Sequence, residues 1–266
     1  MVIAYRGTNF RGLAPNHGVT TVMGELAGAI EKVIRHPVNY SMSGRTDAGV
    51  HAWGQVISLD LPTDIDRDAL ARRLNKMCAP DISVRSISWA DPDFDARFSA
   101  TSRTYRYQVW NEIAPHPLLA DQVWHITAPL NLEVMNRAAQ DLIGEHDFTS
   151  FCRRPKVDDD HPLPSMVRIM YRASWTRIDD SPLVRFEISG SAFCHQQVRS
   201  CVGTLVDIGR GRLAPDSILT ILAAHDRAAA GPVAPPTGLI LWNVGYDGVR
   251  WDAAHVGEAS DRANSG

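Results

Sequence analysis

Apolar residues at Val22, Leu26, Ile30 and Val33 recur at three- and four-residue steps, which predicts a helix over Thr21–Ile34 with one buried face. Strict alternation at Val38, Tyr40 and Met42 predicts a strand, and so does alternation at Ile57, Leu59 and Leu61. A short apolar run at Val2–Tyr5 reads as the opening strand. Asp64–Met77 has a helical period through Ile65, Ala69 and Leu74, and strands are expected at Ile82–Trp89 and Thr104–Trp110. In the second half, Met135, Ala139, Leu142 and Ile143 place a helix over Leu132–Ile143 that stops at Gly144. Long strands fit Met166–Arg177 and Leu183–Ser189. The stretch FCHQQVRSCVGTLVDIG reads as a buried helix, Pro215–Ala224 as a further helix, and LILWNVGY as a final strand. Helices and strands intersperse without βαβ regularity, so the fold class expected is α+β with mostly antiparallel sheet and helices packed on it.

Breaks punctuate this pattern. RRPKVDDDHPLPS is rich in Pro and Asp and reads as a loop or excursion, and the tail after Asp247 reads as frayed. The chain has 266 residues, 44% hydrophobic and 21% charged, as in a soluble globular protein. No apolar run reaches the length of a membrane span, and MVIAYRGTNF has no basic leader with a long apolar core. No membrane association and no secretory signal are therefore expected.

Four cysteines, Cys78, Cys152, Cys194 and Cys201, form no CxxC pair. Cys194 and Cys201 on one helix would stand about 10 Å apart, too far for a disulfide, so reduced thiols are expected. Ten histidines suggest a metal, yet no HExxH or comparable ligand spacing occurs, and none is expected. His51, His146 and His195 read as hydrogen-bonded or site-lining residues. There is no GxGxxG after a strand, no Walker loop and no GxSxG elbow, so no nucleotide cofactor is expected either.

The segment SGRTDAGVHAWGQ, residues 43 to 55, is the chemically suggestive one. An Asp before Ala-Gly is by default a turn or capping residue. Here Asp47 is flanked by Gly44, Thr46, Ala48 and Gly49, with Arg45 two residues before it and His51 after it, and small neighbours leave room for something bulky. The net charge of −3 argues weakly against nucleic acid. Locally, however, Ala96–Asn111 holds Arg97, Arg103 and Arg106 with no acidic residue, interleaved with Tyr105 and Tyr107, a combination that contacts phosphates and stacks on bases. A second basic cluster, Arg153-Arg154-Pro155-Lys156, is followed at once by three aspartates.

GRTDAGVHA resembles the signature loop of the TruA-type tRNA pseudouridine synthases. DFDARFSATSRTYRY, GEHDFTSF, FCHQQVRSCVGTLVDIG and GLILWNVGY follow in that family's order, and the motifs together span about residues 1 to 246. The resemblance implies two similar halves around a central RNA-binding cleft, here 1–111 carrying the Asp loop and 112–246 completing the site, with 247–266 as a tail. It implies an isomerase acting on uridines 38, 39 and 40 of the tRNA anticodon stem-loop. By likeness Asp47 is the catalytic aspartate, Tyr105 the aromatic residue against the target base and Arg199 the basic partner of Asp47. Arg45 handles the flipped nucleotide, while Leu239 or Leu241 lines the apolar wall. Gly44, Thr46, His51, Arg103 and Arg106 complete the substrate-binding set. The family implies a cytoplasmic homodimer, tRNA as partner and no cofactor.

Uridine isomerisation breaks an N–C glycosidic bond and forms a C–C bond. An ionised carboxylate serves either by attacking the sugar carbon or by removing a neighbouring sugar proton, and the sequence leaves both open. Departures from the family pattern fall elsewhere. The first motif, usually YDGTxFxGWQ, reads YRGTNFRGLAP with Arg6, Leu13 and Ala14 altered; Met23 and Gln197 also stand where other residues are usual. That altered motif supports an alternative, a catalytically weak or inactive RNA-binding paralogue acting on another RNA or as a tRNA-folding helper. A carboxylate-based glycoside hydrolase would need a second facing acid, and none can be nominated.

Overall fold

A computed structural model describes residues 1–153 and 164–246. The stretch 154–163, with Arg154 and Lys156 of the basic cluster and most of the excursion, and the tail from Asp247 lie outside the described residues. The described chain contains mixed sheet with helices packed on it, and it divides into two compact units, Met1–Thr101 with the strand from Leu241, and Ser102–Ile240.

In the first unit, β1 (Val2–Tyr5) is antiparallel to both β3 (His51–Leu59) and β4 (Ile82–Ser86), with Tyr5 opposite Ala52 and Ile82. β2 (Tyr40–Met42) pairs with the far part of β3, and β10 (Leu239–Tyr246) lies along β3 on the side away from β1. α1 (Val22–Ile34) begins where the Thr21 hydroxyl accepts the Gly24 N–H, and it buries Val22, Leu26 and Ile30 as the periodicity predicts. α2 (Arg67–Cys78) begins at Arg67, because Asp66 is its N-cap and accepts the Ala69 N–H at 2.9 Å. β3 starts at His51, six residues before the visible alternation. Ala52, Gln55, Val56 and Ile57 are all buried, so both faces are covered there and a period-two pattern disappears.

In the second unit, β5 (Ala100–Trp110), β9 (Leu183–Gly190), β8 (Val167–Arg177) and β7 (Gly144–Asp147) lie side by side in that order, each pair antiparallel. The two-residue β6 (Trp124–His125) runs parallel to β5. β6 and β7 escape the sequence pattern because two residues, or the four polar residues GEHD, carry no readable period. α3 (Leu132–Gln140) packs on β8 and on α4 (Gln197–Gly209). Where β8 runs past β7, side chains of α3 take over its edge: Asn136 exchanges hydrogen bonds with the Trp175 backbone, and Gln140 donates to Ala173 O at 3.2 Å. α4 is buried along almost its whole length, and α5 (Ser217–Ala224) buries Ile218, Ile221 and Leu222.

Candidate active site

Asp47 sits in the irregular segment between β2 and β3 of the first unit, and its neighbours fix the backbone on either side of it. Gln55, fully buried on β3, accepts from the Ser43 hydroxyl at 2.5 Å and donates to Gly44 O at 2.9 Å. Thr46 is buried; its hydroxyl bonds the Tyr5 hydroxyl at 2.7 Å, and its carbonyl accepts the Leu13 N–H. The turn after Asp47 closes through Val50 N–H to Asp47 O at 3.1 Å, with Gly49 at a φ of 79°, a conformation glycine adopts without strain. Exposure varies along the segment: Arg45 is exposed, Thr46 buried, Asp47 half-buried and Ala48 exposed. Asp47 is thus presented from an anchored loop with small flanking residues. His51 is buried, and its Nδ1 accepts the Gly7 N–H at 3.1 Å, so it braces the loop between β1 and α1.

In the second unit, Arg103, Tyr105 and Tyr107 share one face of β5 by alternation. Tyr105 lies opposite Ile188 of β9 and meets the Phe193 ring edge-on at 5.0 Å, while Arg103 donates to Ser191 O at 2.9 Å. The segment 190–194 therefore supports both side chains. Tyr107 is buried, with its hydroxyl donating to Pro235 O; burial drives its phenol far above the usual value, the nearby Arg199 guanidinium opposing this. Arg199, on the first turns of α4, donates from Nε to Ala234 O at 2.7 Å. Gln197 orders the start of that helix, its fully buried side chain accepting the Cys194 N–H at 2.9 Å.

Arg106 points to the opposite face of β5 from Tyr105 and is ion-paired with Glu187 at 2.8 Å, which also holds Arg172 at 3.2 Å. Leu239 and Leu241 share one face of β10 and are both buried. Arg6, a departure from the family pattern, is bound to Asp81 at 2.8 Å, and Asn9 donates to the same carboxylate. His146 bonds Ile143 O, and the carbonyl of exposed His195 accepts the Arg153 N–H.

One expectation is corrected. The sulfurs of Cys152 and Cys194 are in bonding contact with Cα atoms 5.9 Å apart, whereas reduced thiols were expected. The fold brings them together from 42 residues apart, a spacing that no cysteine motif announces. Tyr5, Gln55, Phe193 and Ala234 are the supporting residues that sequence reasoning missed. Gln55 alone carried a signal, as a polar residue inside an otherwise apolar strand stretch after the Asp loop.

The family described as tRNA pseudouridine synthase matches residues 138–247. Over most of the chain, the sequence is similar to tRNA pseudouridine synthase A of Geobacillus kaustophilus, at 42% identity covering 92% of this chain and 93% of that protein. The same named protein of Bacillus subtilis is 41% identical over 92% of this chain and 97% of its own. That of Cutibacterium acnes is 38% identical over 92% and 87%. Among solved structures, a chain of a Cbf5-Nop10-Gar1 complex overlays with a TM-score of 0.34 at 12% identity, covering 78% of this chain and 45% of that one, too slight a likeness to carry weight.

Proposed function

The chain belongs to the tRNA pseudouridine synthase A family, and we propose that it isomerises uridine to pseudouridine at positions 38, 39 and 40 of the tRNA anticodon stem-loop, with Asp47 as the reacting carboxylate. The observation that carries the assignment to Asp47 is the anchored, half-buried loop in which it stands, with small residues around it. A base stacked in a helix is out of reach, so the uridine leaves the stack, and Tyr105 offers it an aromatic face. Arg199 supplies a permanent positive charge that favours the ionised form of the reacting carboxylate. Arg45 and Arg103 receive phosphates, and Leu239 and Leu241 give the pocket an apolar wall. Asp47 acts either on the sugar carbon or on a neighbouring sugar proton; both routes need it ionised. The enzyme works without a cofactor, as a cytoplasmic homodimer whose second subunit helps hold the same tRNA.

The test is pseudouridine mapping on an unmodified tRNA transcript with the wild-type protein and with Asp47→Asn. Product at positions 38, 39 and 40 with wild type, and none with Asp47→Asn at nearly unchanged tRNA affinity, is the expected outcome. Near wild-type turnover by Asp47→Asn would remove the carboxylate from the mechanism. Product at other uridines would change the substrate while keeping the chemistry.

A further inference from the structure

Asp47 lies in no regular element, so the residues that hold its neighbours in place bear on its direction. Two of these make side-chain bonds to that loop. The Tyr5 hydroxyl comes up from the end of β1, where the residue is only 5% exposed, and meets Thr46 Oγ1 at 2.7 Å. Gln55, 0% exposed on β3, clasps Ser43 and Gly44 with both ends of its amide. Thr46 is held twice, since its carbonyl also accepts the Leu13 N–H at 3.2 Å. The chain at Gly12 passes close to that carbonyl, since a Cβ added there would lie 3.1 Å from it.

Resting on the reading of Asp47 as the reacting carboxylate, we infer that Tyr5, acting through Thr46, and Gln55 are positioning residues that aim Asp47 without touching substrate. With Thr46 bonded inward, the next side chain is directed outward, where Asp47 is half-exposed. Loss of the Tyr5–Thr46 bond lets residue 46 rotate and takes the carboxylate with it. A displacement of about 1 Å at a reacting group costs on the order of 10²-fold in rate. Binding of tRNA, spread over many phosphate contacts, hardly depends on that displacement.

The experiment measures single-turnover pseudouridine formation, tRNA dissociation constant and thermal midpoint for Tyr5→Phe, Thr46→Val, Thr46→Ser, the double variant Tyr5→Phe/Thr46→Val, and Asp47→Asn. Tyr5→Phe and Thr46→Val should each slow the single-turnover step by about 10- to 100-fold with tRNA affinity changed less than about twofold. The double variant should be no slower than the slower single, because both remove one bond. Thr46→Ser keeps the hydroxyl and should recover most of the rate. A lowered thermal midpoint with an unchanged single-turnover rate would overturn the inference and leave the bond a purely structural one; so would losses that multiply in the double variant. If Asp47→Asn is inactive while Tyr5→Phe runs at the wild-type rate, positioning alone fails. If Asp47→Asn is itself active, the reading of Asp47 fails instead.

Discussion

Arg199 and Ala234 clasp each other: Arg199 Nε donates to Ala234 O at 2.7 Å, and Ala234 N–H donates to Arg199 O at 3.1 Å. One bond fixes the backbone of α4 against the segment before β10, and the other fixes the guanidinium at its Nε edge. Arg199→Lys keeps the charge but cannot reproduce an Nε donor at that place on a planar group. Arg199→Met should therefore lower the single-turnover rate by roughly 10²-fold or more, with Arg199→Lys intermediate and tRNA affinity little changed in both. Quench-flow rates beside filter-binding affinities check this. A weakened tRNA affinity with an unchanged single-turnover rate would make Arg199 a phosphate clamp.

The same clasp depends on Gly203. A Cβ there would fall on the Pro232 carbonyl, a backbone atom that cannot move without shifting the 232–235 segment. Gly203→Ala should destabilise the protein by about 1–3 kcal/mol, the usual cost of overpacking. Gly28→Ala on α1 is the control, since nothing lies within 4 Å of a Cβ there and helix propensity favours alanine. Urea denaturation of the two variants should move the midpoint in opposite directions.

Much of this arrangement was written in local pattern. The buried faces of α1 and α3 follow the three-and-four spacing of Leu26 and Ile30, and of Met135 and Ala139. The Asp47 loop announced itself by its small residues. Arg103 and Arg106 read as one basic group in the sequence, although residues three apart on a strand point to opposite faces. Contacts across long chain separations were not legible in the sequence. Tyr5 and Thr46 are 41 residues apart, Arg199 and Ala234 35, and Cys152 and Cys194 42. Such pairs are set by how strands and helices pack, which no period in the sequence encodes. The partner of Arg6 in the altered first motif, Asp81, is likewise distant in the chain.

Arg103 and Arg106 should differ in their effect on tRNA binding. Arg103 shares the Tyr105 face, whereas the charge of Arg106 is already matched by Glu187 at 2.8 Å on the other side of the strand. Arg103→Gln should lower the slope of log affinity against log salt by about one, as expected for one phosphate contact. Arg106→Gln should leave that slope nearly unchanged. Equal slope changes for the two variants would place the opposite sheet face on the RNA as well.

Acid stability should report the Arg6–Asn9–Asp81 cluster. The Asp81 carboxyl is held below its ordinary value of 3.8, first by the Asn9 amide and then by Arg6, with burial opposing them. A carboxyl lowered in the folded state contributes stability above its ordinary pKa, and that contribution is lost as pH falls through the lowered value. The cluster is partly exposed, with 45% of the Arg6 side chain and 19% of the Asp81 side chain accessible, so each interaction is worth less than about 1 kcal/mol at neutral pH. Asn9→Ala and Arg6→Met should each lower the thermal midpoint at pH 7 by a small amount. Both should also shrink the further drop between about pH 5 and pH 2, where the wild type loses the contribution that the variants already lack. Below that window all three proteins should converge, apart from whatever packing the substitutions themselves remove. Parallel curves of midpoint against pH for wild type and both variants would show that neither partner holds the Asp81 proton off.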